Sequence, residues 1–241
     1  MSSVVSNHCA VIVEPREHPA LGMAIQSVAT TLPHWPITLF HGQKNADYAK
    51  FTVGSLGLDI HYVEMPVPNM EVKHYNRLLT HSWFYRRFES CEFMLIFQTD
   101  SMLFPQCPYS VEDFMYYDYI GAPWKHYAHK GGNGGLSLRK IDSFIKAITL
   151  NPWSPSTHGN EDLYYSHQDD FKYASYDISR RFSVESCFSA TPFGAHKFWN
   201  YLNKEEELAL YQYAPEAQML KKLNLPFTPP AKNMLEMEKP K

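Results

Sequence analysis

The 241-residue sequence predicts an α/β chain with a Rossmann-type layer: a mixed, mainly parallel central sheet flanked by helices, in a single domain. Three observations predict it. Short apolar runs at 9–13, 36–42 and 59–65 are separated by stretches with helical spacing, giving the order β-α-β-α-β. The most apolar run, EFMLIFQ at 92–98, suits a central parallel strand buried on both faces. The composition is globular, with 44% hydrophobic and 20% charged residues, which excludes disorder and collagen-like structure.

CAVIV at 9–13 reads as a buried strand that stops at Glu14-Pro15-Arg16. Leu21, Ala24, Ile25, Val28 and Leu32 then fall on one helical face, with Pro19 suited to the first turn. PITLFHG (36–42) is the second strand, an amphipathic stretch at 44–56 the second helix, and DIHYVEM (59–65) the third strand. Tyr75, Leu78, Leu79 and Trp83 mark a helix ending near Ser90, before the 92–98 strand. Beyond Asp100 the pattern becomes aromatic and turn-rich. GGNGGLSL (131–138) is a Gly-rich segment leading into a helix with Ile141, Phe144, Ile145 and Ile148 on one face. ESCFSA reads as a short strand, TPFGAH as a turn, 204–223 as helical and 228–241 as a loose end. Residues 8–100 and 101–205 form two functional halves, and 206–241 a C-terminal helix and tail.

Lys and Arg total 22 against 25 Asp and Glu, a net charge of −3, which argues against a general nucleic-acid binder. No apolar run approaches the roughly 20 residues of a membrane span, and the N-terminus lacks the features of a signal peptide. The four cysteines are scattered without a CxxC pair, so neither a zinc site nor a redox motif is expected, and a soluble cytoplasmic setting is. The unusual quantity is 15% aromatic residues, which fill a core or line a pocket for flat ligands. Tyr75, Trp83 and Phe144 have core spacing; Tyr116, Tyr117, Trp124 and Trp153 are expected around the Gly-rich segment.

Four places carry candidate chemistry. Asp100 follows the most buried strand, at the sheet end where open α/β folds bind ligands, though such a residue also caps turns. Four glycines in residues 131–135 allow close backbone approach to a ligand, or make a loop. In Asn160-Glu161-Asp162, one carboxylate can act as a general base; the same residues can start a helix. His196 is structural, or completes a Mg²⁺ or Mn²⁺ site with a distant carboxylate.

In chain order, VIVEPREHP, FQTDS, DYIGAPW, GGNGGLSLRK, NEDLYY and TPFGAHKFW resemble a family of GT-A-fold glycosyltransferases found in large DNA viruses, fungi and bacteria. The likeness runs from about residue 9 to residue 201. It implies a nucleoside-diphosphate sugar donor, UDP-linked by default, and a glycan or glycoconjugate acceptor. Gln98-Thr99-Asp100 stands where the family carries its metal-binding DxD motif, so the first carboxylate is replaced by an amide. The resemblance assigns Asp100 and His196 to Mn²⁺ or Mg²⁺. It assigns Glu14, Arg16, Gln98, Thr99, Asp100 and Ser101 to the donor, and Trp124, Asn133, Gly134, Gly135 and Asn160 to sugar or acceptor. Asp162 is expected as the base of an inverting transfer, with Glu161 on a sugar hydroxyl or in the reverse order. The rival readings are an inactive sugar-nucleotide- or glycan-binding module of the same fold, a glycoside hydrolase and a structural protein. Adjacent carboxylates seldom reach the 5–9 Å separation a hydrolase needs.

Overall fold

The computed structural model describes residues 7–125 and 130–227. The chain runs through β1 (His8–Val13), α1 (Leu21–Thr31), β2 (Ile37–Gly42), α2 (Ala46–Gly54), β3 (His61–Met65), α3 (Val72–Leu79), α4 (Ser82–Arg86) and β4 (Phe93–Phe97). It continues through β5 (Ser101–Leu103), β6 (Tyr119–Ala122), β7 (Asn133–Lys140), α5 (Ile141–Leu150), α6 (Pro155–His158), α7 (Glu161–Tyr165), α8 (Tyr176–Phe182), β8 (Ser183–Val184), β9 (Gly194–His196), α9 (Lys204–Tyr213) and α10 (Ala217–Asn224).

Six strands form the main sheet in the order β3-β2-β1-β4-β7-β6. The first four are parallel; β7 is antiparallel to both β4 and β6, so it alone runs against the rest. β5, β9 and β8 make a small second sheet. Every residue of β4 is buried, as its unbroken apolar run requires. One apolar cluster joins α1 to the face carrying Ala10, Ile12, Leu95, Leu136 and Leu138; another packs Phe84, Tyr85 and Phe144 on the opposite face. No helix among the described residues is long and apolar enough to cross a membrane.

Several expectations are corrected. Pro19 lies ahead of α1, whose N-cap is Ala20, instead of within the first turn. The helix expected from Tyr75 to Ser90 is two helices. At the break, Thr80 Oγ1 donates to the Asn76 carbonyl, and His81 Nδ1 caps α4 by accepting from the Trp83 N–H. The break re-aims the second segment, so Phe84 and Tyr85 are buried while Trp83 is 49% exposed. From Asn133 onward the Gly-rich segment is strand β7, whose Leu136 and Leu138 face the α1 side of the core, while Gly131 and Gly132 keep the left-handed backbone of a loop before it. ESCFSA forms no strand: β8 ends at Val184, and the expected turn TPFGAH contains β9. The strand within TPFGAH arises from long-range pairing with β5. Tyr117 and Trp153 pack against different core clusters, so the four aromatics expected around the Gly-rich segment do not gather there. All four cysteines are free thiols. The 204–223 helix is broken at Ala214-Pro215, and the loose end read at 228–241 lies outside the described residues.

Candidate functional site

The carboxyl ends of β1 and β4 define the site. These strands are parallel neighbours, with Ile12 opposite Phe97, so Glu14-Pro15-Arg16 and Gln98-Thr99-Asp100 leave the sheet side by side. The strand order reverses here, with β2 lying beyond β1 on the side away from β4, which opens the crevice that open α/β folds use for ligands. Because β7 is antiparallel, its N-terminal Asn133 to Gly135 reach the same edge. Pairing of β5 with β9 places His196 opposite Ser101, beside Asp100. These segments line a cleft of about 420 Å³ with Asn160, Glu161, Asp162 and Lys197.

One wall is a rigid clamp. The buried Glu14 carboxylate accepts from Arg16 Nε and Nη2, both at 2.7 Å, and from Thr99 Oγ1 at 3.1 Å. Asn45 fixes the loop from below, donating to the carbonyls of Glu14 and Arg16 and accepting from the Gly42 N–H. Glu14 raises the Arg16 pKa further, so a permanent cation is held at the cleft with its side chain 44% exposed.

Asp100 and His196 form the centre. Asp100 Oδ1 and His196 Nε2 are buried 3.3 Å apart as an ion pair, and neither atom makes a well-aligned hydrogen bond. His196 Nδ1 is 3.0 Å from Oε1 of Glu185, which is 2% exposed. Burial opposes charge on Asp100, but the His196 and Lys197 charges outweigh it and hold the carboxyl at about 2. Burial likewise opposes the imidazolium, and Asp100 and Glu185 overcome it, raising His196 to about 10. Lys197 has left-handed backbone (φ 45°), unusual for a non-glycine, and its N–H bonds the Asp100 carbonyl.

This arrangement fits a divalent cation. Asp100 Oδ1 and, once it gives up its proton, His196 Nε2 would offer two buried electron pairs at roughly the separation of adjacent ligands on a small octahedral ion. Among the described residues, no group of three or more His, Cys, Asp and Glu side chains is arranged to hold a metal. The remaining positions would be taken by water and substrate oxygens, as Mg²⁺ commonly allows.

Gly135 has no side chain where one cannot fit: a Cβ there would fall well inside contact distance of His196 Nε2. Gly135→Ala is expected to displace the imidazole and destabilise the protein by about 1–3 kcal/mol, read by thermal denaturation. A Cβ on Gly134 would collide with Glu161 Oε1. The two glycines are thus the points where β7 passes under two separate charged groups.

The third part is a buried ion pair. Arg139 is fully buried; its Nε donates to Ser137, Nη1 to Tyr85, and Nη2 to the Gly134 carbonyl and to Glu161 Oε1 at 3.1 Å. Nη1 also lies 3.1 Å from Glu161 Oε2, but is aligned with the Tyr85 hydroxyl instead. The rings of Tyr119, Phe144 and Tyr165 surround the guanidinium at 5.4–5.7 Å. Burial pushes Glu161 up to about 7 against the pull of Arg139, with neighbouring Asp162 adding to the rise. Asp162 is only half-buried and lines the cleft; burial raises its pKa as well, while the Leu163 N–H, 2.8 Å from Oδ1, opposes the rise.

Of the residues singled out in sequence, the cleft brings together Glu14, Arg16, Gln98, Thr99, Asp100, Asn133, Gly135, Asn160, Glu161, Asp162 and His196. Ser101, Trp124 and Gly134 do not line it. Ser101 is fully buried, its hydroxyl holding the Gln98 backbone N–H and carbonyl. Asn160 accepts from Asn76 Nδ2, and Asn76 Oδ1 accepts from the Glu161 N–H at 3.3 Å, tying α7 to α3. Sequence reading missed Arg139, Glu185, Asn45, Asn76 and Lys197. Alternation in LSLRK places Arg139 on the face opposite Leu136 and Leu138, but only the fold shows that this face is covered. It also missed Asn224 at the end of α10, which donates to the Thr99 carbonyl and closes one side of the cleft.

Comparison with solved structures agrees with this architecture. Over 91% of this chain, the fold is similar to the apo form of glycosyltransferase GlyE from Streptococcus pneumoniae TIGR4, with TM-score 0.53 and 12% identity. This chain spans 63% of the length of that protein. Mouse xyloside xylosyltransferase 1, also in apo form, is similar over 81% of this chain and 99% of its own, with TM-score 0.51 and 7% identity. The fold is therefore that of the GT-A-like nucleotide-sugar transferases. No curated protein matches in sequence. Residues 58–196 match DUF5672, a family described as of unknown function, and the chain belongs to that family. The matched span contains Asp100, Arg139, Glu161, Asp162, Glu185 and His196, whereas Glu14 and Arg16 precede it.

Proposed function

We propose that this chain is a glycosyltransferase that moves a sugar from a nucleoside-diphosphate sugar to a hydroxyl of a glycan or glycoconjugate, with inversion. The observation that supports it is a single cleft holding two different sets of groups. Cations Arg16 and Lys197 stand near Asp100 and His196 and suit a diphosphate; Asp162 offers a half-buried carboxylate to an acceptor hydroxyl. A UDP-sugar is the default donor.

In this reading Asp100 and His196 would hold Mn²⁺ or Mg²⁺. When bound, the metal supplies Lewis-acid stabilisation of the diphosphate leaving group. Arg16, held by Glu14, and Lys197 add fixed positive charge as negative charge builds on that group. Asp162 takes the proton of the acceptor hydroxyl as the oxygen attacks the anomeric carbon from the face opposite the departing diphosphate. Glu161, engaged by Arg139, orients the start of α7, and with it Asp162. Asn133 and Asn160 line the cleft beside the carboxylates, where they would meet sugar hydroxyls.

A thermal-shift screen of nucleoside diphosphates and sugar nucleotides, with and without Mn²⁺, tests the donor half. A ligand at 100 times its dissociation constant is expected to stabilise the fold by about 2.7 kcal/mol, and excess EDTA is expected to remove most of that gain. No shift with any sugar nucleotide would reject the donor assignment.

One observation favours a second reading. Gln98 occupies the cleft where the resemblance calls for an acid, which suits a module that binds a sugar nucleotide without turning it over. Binding without hydrolysis or transfer, across donors and acceptors, would select that module.

A further inference from the structure

Glu185 lies in the loop after β8, is 2% exposed, and is not among the residues lining the cleft. Its one described contact with the site is Oε1 to His196 Nδ1, at 3.0 Å. That contact has a chemical consequence. A carboxylate can only accept, so Nδ1 must carry a proton, and once the imidazolium gives up one proton the free electron pair resides on Nε2. Nε2 is the atom that faces Asp100 Oδ1 at 3.3 Å and lacks a hydrogen-bond partner.

We propose that Glu185 is a positioning residue that holds His196 in its Nδ1–H form and fixes the ring plane, so that Nε2 is presented to a divalent cation beside Asp100. The inference rests on the metal reading above and extends it to a side chain that meets neither donor nor acceptor. Gly135 works to the same end from the other side: its missing Cβ leaves the space beside Nε2 that the fixed ring requires. Such outer carboxylates make a ligating imidazole more basic and remove the freedom of the ring to rotate. Their loss typically weakens metal affinity 10- to 100-fold.

The test measures Mn²⁺ binding by the electron paramagnetic resonance signal of the free ion, on the full chain, for wild type, Glu185→Gln, Asp100→Asn and His196→Ala. Wild type is expected to bind, Asp100→Asn and His196→Ala to lose binding, and Glu185→Gln to bind 10- to 100-fold more weakly. Binding of UDP in excess EDTA is expected to be unchanged in Glu185→Gln, because Glu185 is off the cleft. Wild-type affinity in Glu185→Gln, with binding lost in the other two variants, would overturn the inference and leave the metal site standing. Absence of Mn²⁺ binding in wild type would overturn the metal reading and this inference with it, leaving donor binding to be judged by the thermal-shift screen. The wild-type protein loaded with Mg²⁺ gives a measurement independent of any variant's folding. Long-range ¹H–¹⁵N correlation is expected to show the His196 proton on Nδ1, and a proton on Nε2 instead would overturn the assignment.

Discussion

Glu161→Leu is expected to destabilise the protein by about 3–5 kcal/mol, because it leaves the Arg139 guanidinium buried with no counter-charge. Arg139 is fully buried and its other partners, Ser137, Tyr85 and the Gly134 carbonyl, are neutral. For a chain of this size the loss corresponds to a fall in melting temperature of roughly 10 °C, read by calorimetry or circular dichroism. The double variant Arg139→Met with Glu161→Leu is expected to recover much of it, since an apolar replacement of a buried pair is often neutral or better. Equal destabilisation by the single and double variants would mean that the pair is not what holds β7 to α7.

Asp162→Asn is expected to lower the rate of transfer by 10²- to 10⁴-fold, while the thermal shift produced by the donor is retained. The amide keeps the size of the carboxylate and cannot take a proton. The wild-type pH profile carries a second mark of the same group. A base acts only when ionised, and burial raises Asp162, so activity is expected to fall on acidification at a pH above the usual carboxylate value of about 4. Asp100, held at about 2, stays ionised across that range and does not produce this limb. An Asp162→Asn variant that transfers sugar at the wild-type rate would remove the base assignment.

The cleft residues were legible to different degrees, and particular elements show why. Asp100 could be found because it follows a strand whose apolar run has no polar interruption, and the ends of such strands are where α/β folds bind. Glu14 and Arg16 were legible for the same reason at β1. Gly134 and Gly135 were noticed as a group of glycines, but their use differs from the expected mobile loop or sugar support. They lie in strand β7, under Glu161 and His196, and no local pattern announces that two side chains from distant segments descend on them. His196 is visible as a residue type only, since its meaning depends on Asp100, 96 positions earlier, and on Glu185 in a loop whose sequence reads as a strand.

The primary structure alone established the α/β order of elements, the helical face of α1, the buried strand β4 and the loops that follow β1 and β4. Each follows from local periodicity, which the chain carries wherever it folds. Only the folded chain decided that β7 runs against its neighbours and enters the cleft from its N-terminal end. It also decided that Glu161 meets a buried arginine while the adjacent Asp162 faces open space, and that Glu185 stands behind His196. The physical reason is that the cost of burying a charge is set by what surrounds it, and here the surroundings come from strands and helices far apart in sequence.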